Sequence, residues 1–295
     1  MLDRESTFKD SEVVKLLKEY FVPIAIDQAY QRRQKDNEGS FYQKIANQGP
    51  RKVGKGTTQG LYVADASGKL LGFSNNRGSE RVLKMMRKAI EGPRNKEVKK
   101  ITKGKQDPRY NPSPPRGGLI IRVTTKVLGG YEKTENAYRK IMHSSLGRDN
   151  FWVTAGEKKE LINDKLPYTF LRRLVRFHLV DNTRGEPTMW SPTDIRTIKG
   201  NLKDGKLSVK VVLKNDQGDR GYEAQILGNI KTESGKITHF DAVAKGQYWG
   251  EGKYTRNAPK GRFPLAVAFK LADGNDIADR IPPQGSRGWV RGYIN

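Results

Sequence analysis

Phe21-Val22-Pro23-Ile24-Ala25-Ile26-Asp27 is a run of six apolar residues stopped by a carboxylate. Six residues are too few for a packed helix. An uninterrupted apolar run closed by polar residues (here Asp27-Gln28) is the pattern of a strand buried on both faces. The segment before it, Ser11–Tyr20, places Val13, Val14, Leu16, Leu17 and Tyr20 on one face at helical spacing, with Asp10 or Ser11 available as a cap. A helix feeding a buried strand is therefore expected, and the N-terminal part of the chain is read outward from it.

Residues 28–48 predict a polar helix with Tyr30, Phe41, Tyr42 and Ile45 inward. Gly49–Gly56 follows as a basic glycine-rich loop carrying Arg51, Lys52 and Lys55. Its backbone N–H groups suit an anion, although the G-x-x-x-x-G-K-[ST] spacing is missing; a plain surface loop is the alternative. Gly60–Ala64 predicts a strand, Ala66–Lys69 a tight turn with Gly68 at the positive-φ position, and Leu70–Phe73 the returning strand. Ser79 is placed to cap a helix to about Ile90, with Val82, Leu83, Met86 and Ile90 buried.

In this order the segments resemble the thioredoxin-like fold. They are most similar to the subgroup in which VV-x-LL-x-x-x-FVP-x-x-x-D is followed by a DxxGKLL hairpin: Val13-Val14, Leu16-Leu17, Phe21-Val22-Pro23, Asp27, and Asp65 through Leu71. The VDQ-, GTTQG- and NNRG-like segments also resemble a group of planctomycete-type bacterial proteins, often exported, that carry no assigned activity. The resemblance covers about 80 residues. It implies an α/β thioredoxin-like module without its chemistry. Where thioredoxins place Cys-x-x-Cys this chain has Glu5–Asp10, and where they place a cis-proline it has Thr57-Thr58-Gln59. Thr58 and Gln59 then mark the position of the lost redox site, and without sulfur no thiol exchange is open to it.

Pro, Gly and Lys dominate residues 92–116, which predicts a basic linker between a domain at 1–91 and one at 117–295. The second domain opens with a long strand, Gly118–Leu128. Helices are expected between 134 and 179, in segments 134–146, 155–163 and 167–179. From 192 to 295 the periodicity changes to two, with strands at 194–202, 206–214, 221–231, 236–246, 263–271 and 288–294. Asp204-Gly205, Asp216–Gly218, Ser234-Gly235 and Asp273-Gly274 punctuate them as hairpin turns. The reading is a β-rich α+β domain, an antiparallel meander closing into a barrel or sandwich.

Fifty-six Lys+Arg against 32 Asp+Glu give a net charge of +24, divided evenly between residues 1–116 and 117–295. A field of that sign attracts acidic partners: nucleic acid, acidic polysaccharide or acidic protein. The absence of cysteine excludes disulfides, thiolate metal sites and thiol nucleophiles. No apolar run is long enough to span a membrane, and the chain is expected to be cytoplasmic as written, or exported with its leader removed. Neither a cofactor motif nor a metal-ligand spacing is present; the three histidines, His143, His178 and His239, stand far apart in sequence. The densest polar cluster is His178–Trp190. There His178 with Asp181 or Glu186 has the composition of an acid–base pair, with Arg184 beside it; the alternative is that Asp181 and Asn182 cap a helix end and Arg184 pairs locally. Trp190, Tyr248, Trp249 and Tyr254 are candidates for an aromatic rim at the loop ends of the sheet, or for packing. These residues outline a non-catalytic binding or scaffold protein, self-assembling or envelope-associated, for a protein or polyanion. A nucleic-acid-binding protein and a hydrolase or isomerase built on His178 are the alternatives.

Overall fold

The computed structural model describes residues 6–76, 78–93 and 104–295. The chain divides into two compact units, one ending at Pro112 and one of Ser113–Asn295.

In the first unit, helix α1 (Ser11–Tyr20) is capped by Asp10, whose carboxylate accepts from the N–H groups of Glu12 and Val13. Ser79 also donates its hydroxyl to Asp10, and these bonds hold that carboxyl below the usual range. Ser79 therefore does not cap its own helix: the cap position of α4 (Ser79–Glu91) is Gly78, at φ 109. The polar segment 28–48 breaks into two helices, α2 (Gln28–Gln31) and α3 (Asn37–Gln48), because Asp36 starts a new one by accepting from Gly39 N–H. Strands β1 (Leu61–Ala64) and β2 (Leu70–Ser74) form a two-stranded antiparallel sheet. Asp65 ties their turn through Ser67 and Lys69 N–H, with Gly68 at φ 81. The core is small: Val13, Val82 and Met86, with Leu16, Leu17, Phe21, Leu61, Leu83 and Met85 against it.

The expected strand at Phe21–Ile26 does not form. Phe21 N–H closes the end of α1 on Leu17 O, and the chain then runs extended beside no ladder partner among the described residues. Pro23 has no N–H to offer a neighbour. Val22, Ile24 and Ile26 are 85%, 72% and 40% exposed. Apolar composition put this segment inside, but a buried strand needs a neighbour on each side, and β1 and β2 pair only with each other. The first unit is thus a two-stranded antiparallel sheet with helices. Residues 104–112, expected to be linker, fold back on this unit: Asp107 accepts from Lys35 N–H and its own N–H donates to Asp36, both at 2.9 Å or less. The rest of the expected linker, 94–103, lies outside the described residues.

The second unit is a seven-stranded antiparallel sheet in the order β4-β3-β9-β8-β7-β6-β5. Its strands are β3 (Leu119–Val127), β4 (Gly147–Val153), β5 (Ile195–Lys203), β6 (Lys206–Lys214), β7 (Gly221–Glu233), β8 (Lys236–Trp249) and β9 (Arg262–Leu271). The β5–β6 and β7–β8 hairpins turn on Asp204-Gly205 and Ser234-Gly235. All four residues have φ between 49 and 71°, the geometry that matches the strand twist. One face buries Leu207, Val209, Ile226, Phe240, Ala244, Leu265, Val267 and Val123. Helices α5 (Ala137–Ser144), α6 (Ala155–Ile162) and α7 (Tyr168–Arg173) occupy the predicted segments. Phe170 of α7 sits between Phe151 and Phe240, with centroids at 4.9 and 6.2 Å, so this helix seats in the sheet's inner face. Each such fully buried aromatic or aliphatic side chain contributes roughly 1.5–3 kcal/mol.

Phe151-Trp152-Val153 belongs to β4, a strand the sequence reading did not include. One expectation is corrected here. Residues 288–294 form no strand: beyond Leu271 the chain makes 3₁₀ turns and ends in helix α8 (Val290–Ile294). Asp273-Gly274 consequently turns no hairpin; Asp273 instead pairs with Arg122 at 2.8 Å.

Candidate functional site

At Leu174–His178, α7 widens into a π-helical turn that aims His178 into the core. The imidazole is fully buried between two groups the sequence did not single out. Nε2 lies 2.7 Å from the Tyr293 hydroxyl of α8. Nδ1 lies 3.0 Å from Asp149 Oδ2 of β4, off the line of the N–H, so that contact is electrostatic and not a directed hydrogen bond. Burial pushes the Tyr293 phenol well above its ordinary value. The hydroxyl therefore keeps its proton and shares a hydrogen bond with Nε2. Asp149 Oδ1 accepts from the N–H groups of Asn150 and Gln284. Beside this trio Arg173 pairs with Glu157, donates to Trp152 O at 2.6 Å, and stacks over Phe151 and Tyr293.

The expected pairing of His178 with Asp181 or Glu186 is absent. Asp181 accepts from Thr183 and binds Arg184, which also donates to Tyr131 OH at 2.6 Å and to Thr255 O. Glu186 pairs with Arg287 at 2.8 Å. His178, Asp181, Arg184 and Trp190 are all buried, as is Thr58, so none of these five forms a ligand surface. Thr58 is instead a local anchor, accepting from Tyr42 OH at 2.7 Å and reaching Gln28. Trp190 donates to Leu179 O and lies under Arg220 at 3.9 Å. The aromatic rim does not assemble: Tyr248 is buried, Trp249 is half-buried and Tyr254 is exposed. The Trp249 ring is covered by the Arg262 guanidinium at 4.1 Å, and its indole N–H donates to Gly218 O.

Two open recesses lie elsewhere among the described residues. Pro50, Arg51, Lys52, Lys55 and Thr57 line one of about 510 Å³ in the first unit, with Gln59 exposed close by in sequence. The other, about 460 Å³, includes Tyr131, Glu132, Lys140 and His143. His143 stacks on Tyr131 at 3.9 Å; desolvation, then Arg139 and Arg184, hold its pKa below the ordinary value. His239 pairs with Asp241 at 2.9 Å. Among the described residues no group of three His, Asp or Glu is arranged to hold a metal, and no helix is long and apolar enough to cross a membrane.

A basic surface lies on the outer face of the seven-stranded sheet, which sequence reading missed. Strand register puts Lys199, Lys210, Gln225, Lys245, Ala266 and Lys126 in one row across β5, β6, β7, β8, β9 and β3. At about 4.8 Å per strand the row spans about 24 Å. Lys199, Lys210, Gln225 and Lys245 are exposed. None of the three lysines has a carboxylate within ion-pair distance among the described residues. Glu223, the nearest acid on this face, is forked by Arg262 at 2.9 and 3.0 Å, and that bond holds its carboxyl below the usual range. The one signal in the sequence was Lys206, Lys210 and Lys214, spaced by four on an alternating strand. Only the pairing of β6 with β5, and of β6 with β8 through β7, brings Lys199 and Lys245 into line with Lys210.

No protein-family model matches the chain, and neither a curated protein nor a solved structure matches it.

Proposed function

We propose that the chain is a non-catalytic binding protein that takes up an acidic partner on the outer face of its seven-stranded sheet. The observation that supports this is the row Lys199–Lys210–Lys245, three exposed ammonium groups aligned by strand register, none within ion-pair distance of a carboxylate among the described residues. Like charges held in line repel one another, and an acidic partner relieves that repulsion. The degenerate thioredoxin-like reading of the first unit rests on the order of its helices and hairpin alone and adds no chemistry. The hydrolase or isomerase reading loses its support, since His178 meets a tyrosine and a second carboxylate inside a packed core, beyond the reach of a substrate.

The test is elution from a heparin column along a salt gradient. K199E/K210E/K245E is compared with K133E/K159E/K165E, which makes the same change in net charge at exposed lysines of the helical segments. The row variant should elute at clearly lower salt than the control variant, because phosphate- or sulfate-type contacts act through released counterions at the contact surface. Equal elution of the two variants would mean that net charge alone attracts acidic partners and that the row has no special part.

A further inference from the structure

Beside the lysine row, one step along the strands, lies a row of different chemistry. Leu227 pairs with Val243, Val243 with Ala268, and Ala268 with Thr124. All four side chains lie on the outer face, and Leu227 and Val243 are 55% and 45% exposed. One further step on, the row reads Lys203, Lys206, Asn229, Asp241, Lys270 and Arg122, with Asp241 directly opposite Lys270 and Arg122 paired to Asp273 and Asp279. The outer face therefore carries an apolar strip with the lysine row along one long side and a row of mixed charge along the other. Two residues along a strand measure about 7 Å, so the strip and the lysine row are about 7 Å apart. A helix of about 10–12 Å diameter laid along the strip reaches the lysine row with one flank. The strip from Leu227 to Thr124 crosses three strand spacings, about 14 Å, which matches between two and three helical turns.

We infer that this face docks an amphipathic acidic protein segment: apolar side chains on the Leu227–Val243–Ala268 strip, with carboxylates on one flank reaching the Lys199–Lys210–Lys245 row. The inference rests on the acidic-partner reading above and names the partner's class. Charge complementarity selects the segment's acidic flank and the exposed branched side chains select its centre. Nucleic acid fits less well. A single strand needs aromatic platforms between its phosphate contacts, and the strip offers aliphatic groups, while Trp249 on the same face is already covered by Arg262.

The test uses the full chain and three probes, read by fluorescence anisotropy. One is a synthetic helical 18-residue peptide (the length is a design choice, about five turns) with leucines at i, i+3, i+4 and i+7 flanked by glutamates. Its partner has every leucine replaced by serine at the same charge, and the third probe is a thymidine oligonucleotide. The peptide should bind, the serine version at least about tenfold more weakly. L227S/V243S should weaken the peptide by about tenfold and leave the oligonucleotide unchanged; both side chains are exposed, so the variant folds, as an unshifted melting temperature would verify. K210E/K245E should weaken all three probes. If the leucine and serine peptides bind alike, or L227S/V243S binds the leucine peptide as the wild type does, the apolar strip has no part and the inference is overturned. If the oligonucleotide binds more tightly than the leucine peptide, the partner class is wrong. If K210E/K245E changes nothing, the acidic-partner reading itself fails, which is a separate result.

Discussion

Replacing Tyr293 with phenylalanine removes one oxygen atom and leaves the ring. The phenyl group keeps its place against Phe177 (centroids at 5.1 Å) and under the Arg173 guanidinium. What is lost is the 2.7 Å hydrogen bond to His178 Nε2, inside a core where no water replaces it. A buried polar atom left without a partner costs about 1–3 kcal/mol. For a unit of this size 1 kcal/mol moves the melting temperature by about 2–4 °C, so Y293F should melt between about 2 and 12 °C lower. With a urea slope near 2 kcal/mol/M, the midpoint should fall by about 0.5–1.5 M. The two compact units need not unfold together, so the probe must report one of them. Tryptophan fluorescence does: all four tryptophans, Trp152, Trp190, Trp249 and Trp289, lie in the second unit. A double-mutant cycle with His178→Leu isolates the pair, and the two effects should fail to add. An unchanged or raised midpoint in Y293F would refute the claim that this contact fastens the C-terminal helix to the core.

Glu157→Ala should cost about 3–5 kcal/mol in the same assay, because it strands the buried Arg173 guanidinium without its carboxylate; Glu132→Ala, which breaks an ion pair between two exposed groups, should leave the midpoint in place. Ile24→Ser should leave amide exchange in 11–20 and 79–91 unaltered, since the side chain is already in solvent; a loss of roughly 1.5 kcal/mol or more would mean the segment is a buried strand after all. Tyr222, Tyr248 and Tyr293 all have phenol pKa values raised by burial. Their folded values exceed the unfolded value near 10, so their contribution is intact below about pH 10 and drains away as pH rises past it. In an absorbance titration at 295 nm these three should ionise only together with loss of tryptophan-reported structure.

The meander was legible in the chain because its information is local. Strands 206–214 and 221–231 alternate with a period of two, and Asp204-Gly205 and Ser234-Gly235 carry the residues that tolerate positive φ. Helix α1 and the Asp65 turn were legible for the same reason: a cap and a turn are satisfied within a few residues. Phe21–Ile26 misled because apolarity states a preference for burial but names no partner, and here no strand lies alongside. His178 misled in another way. Its neighbours in sequence, Asp181 and Glu186, turned to Arg184, Thr183 and Arg287, and its neighbours in space, Asp149 and Tyr293, come from 29 residues before and 115 after. The net charge of +24 was fixed by composition, as was the absence of thiol chemistry. Where the charge is concentrated was decided by strand register, since a shift of one residue in β6 would turn Lys210 into the core and Val209 out to solvent.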